Sequence, residues 1–295
     1  MASDRQSVVA ATEADLAAIT GLLALCNRVE GLDLPIFLEP AAQTETQQTR
    51  FVVREGGELL GFAWLPDDPD PEACLMVHPA QRRRGIGRAL LAAVRAEARR
   101  RGLSDVLFVA DEAASSGRAF LAVVGARYRS SEYRLALDPA AIDRSQSRYA
   151  SLLLRPASMD DLAALTRLRT AAFGGQEDAQ RDDLTRRMRE PNRRHFLATL
   201  DGEPIGMICV VICVGDWAGG VDVTSFAVLP EHQGRGYGRQ MLLETADLLI
   251  AEGWQRIQIE VATDNAGALR LYRSCGFQVQ TAYGFYEIEA SATPG

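Results

Sequence analysis

Between residues 150 and 295 the spacing of apolar and polar positions changes several times, and each change predicts a new element. SLLLRP (151–156) predicts a strand, residues 158–173 and 178–189 predict two helices, and 194–200, 203–213 and 220–229 predict three strands rich in branched and apolar residues. A helix is expected from about Gly236 to Glu252, with Leu242, Ala246, Leu249 and Ile250 on one stripe and Gly253 as its stop. RIQIEVAT (256–263) alternates as a strand, Asn265 to Ser274 reads as helical, and GFQVQTAYGFYEI closes the sheet. The first half follows the same order.

That common order reflects an internal repeat. DLAAI at 15–19 echoes DLAAL at 161–165, and GELLG at 57–61 echoes GEPIG at 202–206, at offsets of 146 and 145. VHPAQRRRGIGRALL at 77–91 echoes VLPEHQGRGYGRQML at 228–242, and GARY at 125–128 echoes GFQV at 276–279, both at an offset of 151. The change of about six residues falls between Gly61 and Val77, which suggests an insertion confined to one hairpin. The expected domains are 1–140 and 150–295, joined by a polar linker at 141–149 within DPAAIDRSQSRY.

Composition narrows the chemistry. All 32 basic residues are arginine, so Schiff-base, Walker-lysine and lysine general-base mechanisms are absent. A 295-residue chain with 47% hydrophobic residues can build two cores. Five cysteines are too few and odd in number for a disulfide framework, and three histidines cannot make a rich metal site, so no metal and a reducing cytoplasm are expected. No apolar run has the roughly 18 residues of a membrane span, and the N-terminus lacks a signal-peptide pattern. The net charge of −7 divides evenly, with 17 arginines against 20 acids in 1–145 and 15 against 19 in 146–295, so neither half is a basic nucleic-acid module.

The chemical signal lies in Gln233-Gly234-Arg235-Gly236-Tyr237-Gly238, set between an apolar strand and an amphipathic helix. Glycines allow close backbone approach, and a helix start offers unpaired N–H groups that suit a pyrophosphate. Arg82-Arg83-Arg84-Gly85-Ile86-Gly87 repeats the arrangement. A Rossmann turn would follow the first strand, whereas this one follows the fourth.

With those motifs, the halves resemble two tandem GCN5-related N-acetyltransferase (GNAT) domains. The family's Q/R-x-x-G-x-G/A signature is matched by Gln233, Gly236 and Gly238 and by Arg82, Gly85 and Gly87. Its N-x-x-A-x-x-L-Y-x-x-x-G-F segment is matched by Asn265, Ala268, Leu271, Tyr272, Gly276 and Phe277. The resemblance implies an α/β (α+β) fold of two αβα units, each a mixed, mostly antiparallel sheet flanked by helices. It further implies acetyl-CoA as acyl donor, with pantetheine against Phe226, Ala227 and Val228, and pyrophosphate on the amides of Gly234, Arg235, Gly236, Tyr237, Gly238 and Arg239. Asn265 is expected to bond the pantetheine or orient the following helix, and Tyr272 to protonate the departing thiolate.

A base must also remove a proton from an alkyl ammonium with a pKa near 10. Glu260 is the first candidate, spaced from Asn265 and Tyr272 as in the ribosomal-protein acetyltransferase branch. Many members use a glutamate where Thr224 stands; Asp222, on the same face, is the reserve, and a water chain is a further route. At an offset of 151, Asn265 maps to Ala114 and Tyr272 to Leu121, so chemistry is expected in 150–295 alone. Cys209 and Cys213 read as apolar packing, and His195 lies near the expected acceptor entrance, whose shape is assigned to the first two helices and the 213–221 loop. The expected function is direct acetyl transfer to an unidentified primary amine; a non-catalytic CoA-binding sensor or scaffold is the rival. No nucleic-acid or membrane partner is expected, and the chain should be a monomer, as an intramolecular pseudo-dimer, or a weak homodimer.

Overall fold

The structure, a computed structural model, describes residues 7–32, 49–67, 71–143, 152–213 and 219–291. The first repeat contains β1 (Val8–Ala10), α1 (Leu16–Glu30), β2 (Arg50–Glu55), β3 (Glu58–Trp64), β4 (Glu72–Val77), α2 (Ile86–Arg100), β5 (Asp105–Asp111), α3 (Ser115–Val123) and β6 (Arg127–Leu137). The second contains β7 (Leu152–Pro156), α4 (Leu162–Phe173), α5 (Glu177–Arg187), β8 (Arg193–Leu200), β9 (Glu203–Ile212), β10 (Gly220–Val228), α6 (Tyr237–Ala251), β11 (Arg256–Ala262), α7 (Ala266–Ser274) and β12 (Phe277–Glu289). Element order in the second repeat follows the periodicity, with boundaries that differ by a few residues; in the first, α1 is the one α-helix described before β2, and residues 33–48 lie outside the described residues.

Compactness groups the chain differently from the duplication. One unit comprises Met1–Glu132 with Thr281–Gly295, and the other Tyr133–Gln280. Burial explains why each repeat ends outside its own unit. Leu135 is fully buried in a cluster with Val221, Ile257 and Phe277 of the second unit, whereas Ile288 and Ala290 are buried with Val106 and Phe108 of the first. The segment expected to be a linker also takes part. Asp138 N–H donates to Gly276 O at 2.9 Å, Pro139–Ala141 form a 3-10 turn, and Arg239 donates to Asp143 O at 2.5 Å, so residues 138–143 are docked on the second unit. Residues 144–149 of that segment lie outside the described residues.

Each unit is a mixed sheet between helices. Its strand order is β1-β2-β3-β4-β5-β12 in the first unit and β7-β8-β9-β10-β11-β6 in the second. The pairs β4–β5 and β10–β11 run parallel, joined by crossovers that contain α2 and α6, as parallel neighbours require. In the second unit α4 and α5 cover one face through Leu165, Leu168 and Leu184 on Leu197 and Met207. On the other face, α6 and α7 place Leu242, Leu249 and Tyr272 against Val221, Val223, Ile257 and Ile259.

The registers refine the insertion inferred from the repeat. Gly61 pairs with Val77 and Gly206 with Val228, at offsets of 145 and 151. Trp64 pairs with Cys74, but Cys209 pairs with Thr224, at offsets of 145 and 150. One added residue therefore lies within β10 rather than in the hairpin. It is a β-bulge between Thr224 and Ala227, where Ser225 has φ of 47°. Strand β4 has no such shift in its pairing with β3.

Residues 150–295 made alone would lack the strand carrying Leu135. That fragment is expected to show no cooperative unfolding by circular dichroism. Leu135→Ala in the full chain should lower stability by about 2–5 kcal/mol in chemical denaturation, as for other large-to-small core changes.

Candidate active site

The parallel pairing of β10 and β11 runs from Gly220 opposite Arg256 to Val223 opposite Ile259. Beyond that point both strands continue, to Val228 and Ala262, without further pairing to each other. The bulge begins at the next residue, Thr224. Because β10 and β11 no longer pair with each other there, the backbone edges that face the opening between them are outside that ladder.

Gln233 anchors the end of β10, its Nε2 donating to Val228 O at 2.8 Å. Arg82 makes the matching contact in the first unit, from Nε to Val77 O at 3.3 Å. The turns also share a backbone path: Gly234 and Gly236 have φ of 72° and 88°, Arg83 and Gly85 have 65° and 86°. Gly236 caps α6 and the following N–H groups, from Tyr237 through Arg239, have no preceding helical carbonyl. This concave run of donors at a helix start fits a pyrophosphate. Gly238 serves packing as well, because a Cβ there would meet Leu271 and Phe226 at 3.4 Å. Arg235 is exposed, and Tyr237 is half-buried with its ring 6.3 Å from His232. The Arg239 guanidinium turns away from the opening to Asp143 and to Ser274 O at the end of α7, so only its backbone can join the donor run.

Asn265 caps α7: its Oδ1 accepts the Ala268 N–H at 3.0 Å. Of its two expected tasks, orientation of the helix is the one visible here. That helix carries Tyr272, which is buried, with its ring 6.1 Å from Phe226 and 6.4 Å from Phe277. Burial, with a smaller effect of Cys275, pushes the Tyr272 phenol up to about 12, so it remains protonated at neutral pH. Among the described residues its hydroxyl makes no hydrogen bond.

The carboxylates lie on the opposite face. Asp222 and Glu260 alternate with Val223 and with Ile259 and Val261, whose side chains pack towards α6, so both carboxylates point to the α4 and α5 face. Glu260 is 44% exposed, and its Oε1 accepts from Arg134 Nε at 2.9 Å and Nη2 at 2.8 Å. Asp222 is half-buried, and its carboxyl is raised above the ordinary aspartate value. Burial is the largest cause; the Cys213 thiol opposes the rise, Glu260 adds to it and Arg134 counters it. Cys213 was expected to be simple packing, but its thiol donates to Asp222 Oδ2 at 3.4 Å. On the same face His195 and Cys209 pair across β8 and β9, with Nε2 and Sγ 3.8 Å apart. Burial, followed by Arg193, Arg169 and Arg187, lowers the imidazole and favours its neutral form.

Arg134 and the bulge escaped sequence reasoning. Arg134 comes from the end of the first repeat, and only burial of that strand in the second unit brings it to Glu260. The bulge left a trace, a single-residue part of the offset change, which only pairing separates from hairpin growth. Residues 214–218 of the expected acceptor loop lie outside the described residues.

The first unit differs at this site. Leu121 and Ala114 replace Tyr272 and Asn265, and the pairing places Glu72 at the register position of Asp222. Glu30, at the end of α1, forms an ion pair with Arg82 and accepts from Ser116 Oγ at 2.6 Å. One carboxylate thereby ties the turn after β4 to the helix after β5. In the second unit Gly267 occupies the place of Ser116, with no side chain for such a tie.

A split parallel pair, a glycine turn at a helix start and a buried tyrosine on the following helix define an acetyltransferase of the GNAT type. The description "Acetyltransferase (GNAT) family" matches residues 16–122 and 162–277, and the chain belongs to that family. It is an N-acetyltransferase with tandem domains, and members of the family use acetyl-CoA. The chain is 34% identical over 239 residues to the mycothiol acetyltransferase of Kineococcus radiotolerans, covering 77% of each chain. It is 32% identical over 213 residues to that of Clavibacter michiganensis, covering 70% of this chain and 69% of the relative. In fold it is similar to a GCN5-related N-acetyltransferase from Sphaerobacter thermophilus, with TM-score 0.79 and 20% identity over 98% of this chain and 96% of the other. A tandem GNAT protein from the clavulanic acid biosynthesis pathway gives TM-score 0.70 and 22% identity, over 97% and 99%. Among the described residues no cluster of three metal-ligating side chains occurs, and no helix is long and apolar enough to cross a membrane.

Asn265→Ala should remove the α7 cap and cost about 1 kcal/mol in thermal or chemical denaturation, and Asn265→Ser should restore most of it.

Proposed function

We propose that the second unit transfers an acetyl group from acetyl-CoA to a primary amine by direct attack, with the thioester in the opening between β10 and β11. The observation that carries this reading is the placement of acid and base on opposite sides of one sheet opening. Asp222 and Glu260 face α4 and α5, and Tyr272 lies under the other face against Phe226. An amine entering from the carboxylate side attacks the thioester carbon, and the thiolate leaves towards the phenol.

Asp222 is the preferred base. Glu260 already holds Arg134, whereas Asp222 sits deeper and has a raised proton affinity, which brings a carboxylate closer to the range useful for proton abstraction. Glu260 then adds negative charge that attracts the ammonium form of the acceptor. Backbone N–H groups at the bulge and around Val228 are suited to polarise the thioester carbonyl. Tyr272 donates a hydrogen bond to the developing thiolate. With the phenol at about 12 and an ordinary thiol near 8.5, complete proton transfer would cost roughly 5 kcal/mol, so holding the charge comes first.

Three observations support confining chemistry to the second unit: the first lacks the phenol, lacks the bulge, and has Glu30 across its corresponding opening. The relatives named mycothiol acetyltransferases suggest that their acceptor should head any amine panel. The acceptor would lie over the α4 and α5 face, where His195 and the carboxylates sit. A non-catalytic CoA-binding role would instead give no acceptor-dependent release of free thiol.

Tyr272→Phe should lower kcat by roughly 10²-fold or more with acetyl-CoA affinity intact, read by thiol release and by equilibrium binding. An unchanged kcat would remove the phenol from the mechanism. Because the base works ionised and Asp222 is raised, wild-type kcat/KM should fall on acidification at a higher pH than an ordinary aspartate would give. Asp222→Asn should abolish that limb and cost more activity than Glu260→Gln.

A further inference from the structure

Cys213 immediately follows β9, at a fixed point of the hairpin: its backbone N–H donates at 3.0 Å to the carbonyl of Gly220, the first residue of β10. Two residues further along β10 stands Asp222, and the Cys213 thiol reaches its Oδ2 at 3.4 Å. The other groups facing Asp222 are Gln258, its register partner, Glu260 on β11 and Arg134 on β6. Arg256 acts on the thiol from the start of β11.

A cysteine beside a transferase site invites a nucleophilic role, in which the acetyl group would rest on sulfur. The environment opposes that. Burial first, and then Asp222, push the Cys213 thiol up to about 12, so it stays protonated at neutral pH. What such a thiol does well is donate. A carboxylate that receives a donor on one oxygen has its rotation restricted and its ionised form favoured.

We propose that Cys213 is a positioning residue for acetyl transfer: its thiol holds Oδ2 of Asp222 and leaves Oδ1 to meet the incoming amine. This rests on Asp222 being the base. No bond to sulfur forms or breaks; the ammonium proton passes to Asp222 Oδ1 while the thiol keeps its own. Burial makes Asp222 harder to ionise, and the Cys213 donor offsets part of that effect. Removing the donor raises the proton affinity of Asp222, so the acidic limb of kcat/KM moves to higher pH. A serine hydroxyl at the same place can supply the donor.

Two measurements on the full chain test this. The first compares pH profiles of thiol release from acetyl-CoA with the best amine of the panel. Cys213→Ala should move the acidic limb up by about half to one pH unit with little change in the KM for acetyl-CoA, and Cys213→Ser should return it to the wild-type position. A limb that stays in place in Cys213→Ala overturns the proposal. The second needs no acceptor: the rate of Cys213 alkylation by iodoacetamide at pH 8, mapped by mass spectrometry, in wild type and Asp222→Asn. Loss of the neighbouring negative charge should speed alkylation about threefold or more, and an unchanged rate removes the contact on which the proposal stands. If Asp222→Asn retains full turnover, the base assignment fails by itself, whatever the alkylation shows; if Asp222→Asn is inactive and the Cys213→Ala limb is unmoved, only the positioning role fails.

Discussion

The second unit depends on one interruption, the point after Val223 and Ile259 where two parallel strands stop pairing. A sheet normally uses its backbone hydrogen bonds up to the strand ends, and unpaired polar groups in a covered interior are costly. Here the interruption coincides with an extra residue in β10, whose turn at Ser225 draws the strand out of register with β9. The candidate functional groups are distributed around that gap. Alternation along β10 and β11 sends the carboxylates to one face, and the helix following β11 returns Tyr272 beneath the other. The proposed acid and the candidate bases are thus separated by the sheet itself.

The same fold occurs twice, and the differences between copies concern the opening more than the scaffold. Both turns follow the same left-handed path, even though Arg83 occupies a conformation that favours glycine, at a cost on the order of 1–2 kcal/mol. In the first unit that path leads into Gly85, the N-cap of α2. The opening itself has changed. Without the bulge β4 stays in register, and Glu30 ties Arg82 to Ser116 with both charges largely shielded from solvent. Burial alone would raise Glu30, but the Ser116 hydroxyl and Arg82 outweigh it and hold the carboxyl below the usual glutamate range.

Much of this was legible along the chain. The helix stripe of α6, the alternation of β11 and the glycine turn are local patterns, and local periodicity determines which faces become apolar. Tyr272 and Asn265 were legible through a motif within a single helix and its cap. The preference between Glu260 and Asp222 was not. Both read as strand carboxylates on one face, and what distinguishes them is a partner for each, Arg134 and Cys213, contributed from other strands. The sequence could name the candidates because side-chain direction repeats every two residues. Its ranking, Glu260 before Asp222, rested on spacing alone, whereas proton affinity depends on burial and on charges brought near by folding.

The chain ends show the same division. Repetition determined two αβα units and located the glycine turn in each, since duplication preserves the order of local elements. Only the tertiary structure decided where a unit begins and ends. Leu135 and Ile288 have similar apolar character and similar places in their repeats, yet each is buried in the unit of the other repeat. Hydrophobic burial requires an apolar surface to be covered without specifying which stretch of chain covers it. That choice brings Arg134 to Glu260, and it makes the second unit depend on residues encoded in the first half.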